Sequence, residues 1–217
     1  MAMVKILGYG SLLSETSARS TFGATMQRFR LGRVHGYRRV FALPGSIFFP
    51  EQIANPATKE FACLCVEPSP GSSFIVSVFE VPEDQVLAFR RREHLYDIQP
   101  VEYEEADGSR DEALMCLRWT DEAVIQANGQ AFFDERYGQY GLDTIWGWGP
   151  ESGILPCRVY LRHCLLSVAK LGEQVRTDFL KHSFLGDRQT TVEAYIAAHP
   201  EIMDALPPPS LVGRYSG

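Results

Sequence analysis

The feature that most constrains this chain is a succession of short β-favouring runs in its first 120 residues, punctuated by glycine- and proline-rich turns and interrupted by one helix. Val4, Ile6 and Leu7 form the first run, which ends at Gly8. Arg28 to Leu43 reads as two strand pieces joined through His35-Gly36, with Phe29, Leu31, Val34, Tyr37, Val40 and Phe41 supplying the apolar positions. Ser46 to Lys59 lacks periodicity and reads as loop. The runs Glu60 to Glu67 and Phe74 to Val81 flank Pro68-Ser69-Pro70-Gly71-Ser72 and are expected to be antiparallel neighbours across that turn. Pro82-Glu83-Asp84 opens a helix that ends at Glu93, with acids in its first turn and Arg90, Arg91 and Arg92 in its last, as the helix dipole favours. A solvated helix end accounts for those arginines. Ile98 to Glu104 and Ala113 to Trp119, split by Ala106-Asp107-Gly108-Ser109, complete the strands. This order predicts an α+β fold: a closed or strongly curved sheet, a small mixed or antiparallel β-barrel with packed helices and a C-terminal helical extension.

Past Trp119 the pattern changes. Asp121 to Gln126 reads as a helical turn, Phe132 to Tyr140 is aromatic and polar, and Trp146 to Pro150 is a ring-rich loop. After Pro156, the residues Val159, Tyr160, Cys164, Leu165, Val168 and Leu171 recur at helical spacing and stop at Gly172. Val175, Phe179 and Leu180 carry a second helix, and Thr190-Thr191-Val192-Glu193 caps a third. The expected organisation is a barrel core over 1–120, an aromatic loop and helical part over 121–206, and an extended tail over 207–217, beginning at Pro207-Pro208-Pro209. Trp146 and Trp148 read either as a cover on a pocket or as a packing layer.

Charge and cysteine usage narrow the function classes. Lys+Arg 21 against Asp+Glu 27 gives a net charge of −6, with no basic run beyond Arg90-Arg91-Arg92, which argues against nucleic acid or an anionic membrane as partner. No apolar stretch is long enough to span a membrane, and the N-terminus lacks the parts of a secretion signal, so a cytoplasmic location is expected. The cysteines, Cys63, Cys65, Cys116, Cys157 and Cys164, are odd in number and lack Cys-x-x-Cys spacing, which reads as reduced thiols. His35, His94, His163, His182 and His199 form no ligand pattern, so neither a metal nor another cofactor is expected.

A candidate site lies in Val4 to Leu13. Gly8 and Gly10 remove Cβ bulk where the first strand ends, so the backbone can turn sharply and approach a small molecule. Ser11 and Ser14 are candidate caps for a helix beginning near Glu15, and outward N–H groups in such a loop suit a carboxylate or an oxyanion. A plain Gly-Ser turn fits these residues equally well.

Four segments in order sharpen that reading: Tyr9-Gly10-Ser11-Leu12; Gly36-Tyr37-Arg38-Arg39-Val40-Phe41; Arg92-Glu93 with Tyr96 ahead of the strand containing Val101; and Pro156-Cys157-Arg158-Val159-Tyr160-Leu161 with its helix up to Gly172. Over about residues 4 to 185 the chain resembles the γ-glutamylcyclotransferase-like family. The first segment resembles that family's substrate loop and the third its catalytic glutamate segment, although His94-Leu95 stands where many members carry glycine. The resemblance implies a mixed barrel that converts a γ-glutamyl peptide, amino acid or amine to 5-oxoproline and a free amine. It implies Glu93 as general base and then acid, backbone N–H groups of Gly10, Ser11 and Leu12 on a carboxylate or oxyanion, and Tyr9 and Tyr96 as pocket walls. The partner implied is a small γ-glutamyl substrate, the assembly a monomer or homodimer.

Taken without the resemblance, Glu93 among arginines is a surface ion pair. Glu102, Glu104 and Glu105 are rivals that strand alternation turns mostly to solvent. Ser11 has no histidine paired with it in the motif, so no serine nucleophile is expected. Two alternatives stand beside this reading: a non-catalytic small-molecule-binding or regulatory protein on the same fold, and a thiol-dependent acyl transferase or hydrolase using Cys164 with His163 or His94. Adjacent helix residues point about 100° apart, which does not pair His163 with Cys164.

Overall fold

In the computed structural model, which describes residues 2–217, the N-terminal apolar run is strand β1 (Met3–Gly8). It lies antiparallel to β3 (Glu60–Pro82), from Met3↔Pro82 to Gly8↔Ser77, and parallel to β5 (Arg110–Leu117) at Ile6↔Leu114. The strand β5 runs antiparallel to β4 (Asp97–Glu104), which in turn meets β2 (Gln27–Pro44) at Arg33↔Glu104 and Val34↔Tyr103. Because β2 also pairs with β3, the order β3-β1-β5-β4-β2 returns on itself as a closed, mixed barrel of five strands. Closure removes the unpaired edges that an open sheet of these strands would carry. The expected α+β barrel is present, and its mixed character comes from β1 alone docking beside β5 in parallel.

The long strands correct the expected hairpin. Glu60 to Glu67 and Phe74 to Val81 do not fold back on each other; both run in one direction along β2 as parts of a single strand. His35 pairs with Ser73 and Tyr37 with Pro68, so the residues numbered 69–72 bulge out opposite Gly36 alone. Gly36 (φ +79°) and Gly71 (φ +84°) take the left-handed conformations that such an irregularity needs. Likewise the two expected pieces of Arg28 to Leu43 are one strand, bent at this bulge. Beyond it, Tyr37 to Pro44 and Ala62 to Pro68 form a ribbon that leaves the barrel and supports the C-terminal helices.

The helices are α1 (Glu15–Phe22), α2 (Val86–Arg92), α3 (Asp121–Asn128), α4 (Gln130–Arg136), α5 (Arg158–Lys170), α6 (Glu173–Lys181) and α7 (Val192–Ala198). Ser14, Thr120 and Thr191 cap α1, α3 and α7 by accepting the N–H of Ser17, Ala123 and Ala194. The segment 121–206 does more than pack on the core. It adds two short strands to the sheet, β6 (Leu155–Pro156) beside β3 and β7 (Ser183–Phe184) beside β2. A buried charge ties α6 to the ribbon. Arg39, 0% exposed, lies between the rings of Phe74 (4.7 Å) and Phe179 (4.8 Å) and donates to Asp178 Oδ2 at 2.8 Å. That carboxylate also accepts from Ile75 N (2.9 Å) and Arg33 (3.3 Å). Burial pulls the Arg39 guanidinium down to about 10, so it stays charged at neutral pH.

The expected extended tail is the other correction. Residues 207–217 turn through a short 3-10 helix at Pro209–Leu211 and dock on the body. Leu211 and Tyr215 are buried, Tyr215 packing on Tyr160 (6.0 Å), His163 (5.4 Å) and Phe48 (6.3 Å). Proline rigidity ended the regular helices, but the leucine and tyrosine beyond it had apolar surface to bury. No helix of the described residues is long and apolar enough to cross a membrane.

Candidate functional site

The site begins where β1 stops. After Gly8 the chain turns through a 3-10 helix, Ser11–Leu13, closed by Leu13 N–H to the Gly10 carbonyl (3.0 Å). The N–H groups of Ser11 and Leu12, first in that turn, have no protein acceptor among the described residues. Ser77 of β3, wholly buried, donates its hydroxyl to the Leu12 carbonyl at 2.8 Å and so pins the loop to the barrel. The two glycines are there for space. A Cβ on Gly8 would sit 2.5 Å from the Leu12 carbonyl oxygen, and one on Gly10 would sit 2.6 Å from the Tyr160 hydroxyl.

The second half comes from the end of α2. Phe89 buries against Phe22 (5.9 Å) and fixes the helix, whose last turn closes with Glu93 N–H on the Phe89 carbonyl at 2.9 Å. Tyr96 N–H then donates to the Glu93 carbonyl at 2.9 Å, and this turn sends both side chains into one cleft. Glu93 is 17% exposed and meets Arg92 Nε at 3.1 Å. Arg92 also donates to the Thr21 hydroxyl of α1, so it is half-buried here rather than the solvated helix end expected.

The inner cleft, about 40 Å³, gathers Tyr9, Gly10, Ser11, Leu12, Glu93 and Tyr96, all six residues singled out in the sequence, together with Leu64, Cys116 and Tyr160. It opens on a pocket of about 130 Å³ lined by Ser46, Phe48, His94, Arg214 and Tyr215, which shares Glu93, Tyr96 and Tyr160 with it. Among the residues lining either cavity, Glu93 is the one carboxylate. Burial raises its carboxyl above the ordinary glutamate value, opposed in part by Arg92, Arg214 and His94. Burial likewise pushes the hydroxyls of Tyr9, Tyr96 and Tyr160 far up, so each stays protonated as a neutral hydrogen-bonding group. Tyr96 spends its proton on the Leu64 carbonyl at 2.9 Å. Such a cleft can move a proton at one carboxylate beside backbone donors suited to an anion.

The rival carboxylates lie elsewhere. Glu102 pairs with Arg110, Glu104 with His35, and Glu105 with Arg30. Cys164, 0% exposed, lines neither cavity; burial pushes its thiol up to about 12, while His163 is pulled down to about 4. These two therefore carry no thiolate–imidazolium pair. No group of three metal-ligating side chains forms among the described residues. Trp146 proves to be a packing residue: it donates Nε1–H to the Leu95 carbonyl (3.0 Å) and braces Tyr96 edge-on at 5.7 Å. Trp148 packs on Phe61 at 5.2 Å.

Sequence reasoning gave no site role to Tyr160, Arg92 or Arg214. Tyr160 stands in the Pro156 to Leu161 segment that carries the resemblance, which was a usable signal. Nothing in the sequence marks Arg214.

Fold and cleft together define a closed-barrel protein with a half-buried carboxylate facing a glycine-bracketed loop. No protein-family model and no curated protein sequence matches the chain. Similar solved structures include a γ-glutamyl cyclotransferase specific to glutathione from yeast, 14% identical over 94% of this chain and 96% of that one, TM-score 0.46. Another γ-glutamyl cyclotransferase is 10% identical over 62% of this chain and 85% of that one, TM-score 0.44. An AIG2-like protein from Mus musculus is 16% identical over 58% and 84%, TM-score 0.36. At these values they are likenesses of fold alone.

Proposed function

We propose that the protein is a γ-glutamylcyclotransferase-type enzyme that converts a γ-glutamyl peptide, amino acid or amine to 5-oxoproline. The substrate's α-amine attacks its own γ-carbonyl, a C–N bond to that carbon forms, and the original C–N bond breaks to free the amine. Glu93 takes the proton from the attacking amine and returns one to the departing amine. The N–H groups of Ser11 and Leu12 receive the substrate's α-carboxylate or the oxyanion, and the tyrosine walls keep the reacting centre partly dry. The observation that carries this reading is that the one carboxylate lining the cleft is half-buried, raised in pKa, and shares the cleft with that loop. A raised value brings the carboxylate closer to neutral pH, where one group serves best as both base and acid. The five unbridged cysteines fit the reducing cytoplasm that this reading implies.

The test is a screen of γ-glutamyl compounds for released 5-oxoproline. The expected result is turnover by the wild type and a loss of about 10²–10⁴-fold in Glu93→Gln, with the fold intact. Undiminished product from Glu93→Gln would remove Glu93 from the mechanism. Ligand binding without product from any compound would favour a binding or regulatory role instead.

A further inference from the structure

We propose that Arg214, carried by the C-terminal segment, selects γ-glutamyl compounds whose departing amine bears a carboxylate: a γ-glutamyl amino acid or peptide over a γ-glutamyl amine. This deepens the reading of the Glu93 cleft and rests on it. Beside the cleft lies a chamber of about 530 Å³ between α1 and the tail. It joins the outer pocket of about 130 Å³ at Ser11, Arg92 and Arg214, which line both, while Ser11 alone of these also lines the inner cleft. Its walls carry Ser11, Ser17 and Ser20 hydroxyls, none donating to a protein acceptor among the described residues, and no carboxylate. In a chain of net charge −6, this chamber has no acid on its walls and two guanidinium groups, one of them, Arg92, neutralised by Glu93, so Arg214 is its unbalanced charge.

The two arginines are not equivalent. Arg92 is committed to Glu93 and Thr21. Arg214 forms no ion pair among the described residues; its guanidinium rests 5.4 Å from the Tyr215 ring centre. Its backbone is nonetheless held firmly. The N–H groups of Arg214 and Tyr215 donate to the Leu211 carbonyl (2.9 and 2.8 Å), and the Tyr215 ring is 2% exposed. An exposed cation on an anchored backbone, at the junction of outer pocket and chamber, can receive an anion with only its side chain left to order. In this pose the loop after β1 holds the substrate's α-carboxylate rather than the oxyanion. With the γ-carbonyl beside Glu93, the amine departing from it extends toward Arg214, and a carboxylate on that amine makes the charge-assisted contact that a neutral group does not.

The test titrates γ-glutamylglycine and its uncharged analogue γ-glutamylglycinamide into the full chain by calorimetry, on a Glu93→Gln background so that neither is consumed. With Arg214 present, the acid is expected to bind about ten-fold tighter than the amide. In Arg214→Ala the preference falls to none, Arg214→Lys recovers part of it, and added salt narrows it. Binding of both ligands with an unchanged preference in Arg214→Ala, or with no preference in the parent, overturns the role of Arg214 and leaves the Glu93 reading standing. Binding of neither ligand overturns the role of Arg214, and if no γ-glutamyl compound in the screen yields 5-oxoproline with the wild type the Glu93 reading falls as well.

Discussion

Glu93 shows how one side chain's surroundings set its chemistry. Dehydration raises its pKa, and three cationic or ionisable neighbours, Arg92, Arg214 and His94, pull it back. A base works ionised, so activity falls as pH drops through that value. The acid limb of kcat/KM is therefore expected to lie above the ordinary glutamate range of about 4.3. Removing Arg214 removes a charge that favours the ionised form, so Arg214→Ala should move this limb to higher pH, read from kcat/KM against pH. A limb that fails to move to higher pH would mean that the Arg214 charge does not stabilise the ionised Glu93. At this level the sequence was informative where residues are close along the chain. Tyr9 to Leu12 form one local turn, and Glu93 and Tyr96 lie three residues apart at a helix end, so a motif contains each group. Tyr160 and Arg214 reach the same cleft from α5 and the tail, and no local spacing encodes that meeting.

Among strands and helices, the local signals were strong and the pairings were not. Pro68 to Ser72 has the composition of a reversing turn, yet it is a bulge, because the runs on either side both find partners along β2. Turn composition says that the ladder is broken; it does not say which way the chain leaves. The clamp of Arg39 and Asp178 was equally hidden, since its partners stand on β2 and α6. Asp178→Asn keeps the shape but leaves a buried guanidinium without its counter-charge, and a loss of about 3–5 kcal/mol is expected from denaturant unfolding. A loss below about 1 kcal/mol would show that water or a neighbouring group compensates Arg39.

In the molecule as a whole, the barrel was legible because many short strands with one intervening helix leave few ways to bury their faces. Its parallel seam was not, because β1 pairs with a strand more than a hundred residues away, at Ile6↔Leu114. Nor was the docking of residues 207–217, where a proline triplet masked the anchoring of Leu211 and Tyr215.

That seam ties the binding loop to the cooperativity of the fold. The strand β1 sits between β3 and β5, so the loop from Gly8 to Leu12 leaves the ring from an interior strand held on both sides. Amide hydrogen exchange at Ile6, Leu7 and Gly8 is therefore expected to proceed only through global opening and to match the unfolding free energy. Faster, subglobal exchange there would show that the ring opens at its seam. If the match holds, partial unfolding cannot leave a competent loop behind, and any ligand held by that loop will slow exchange throughout the barrel.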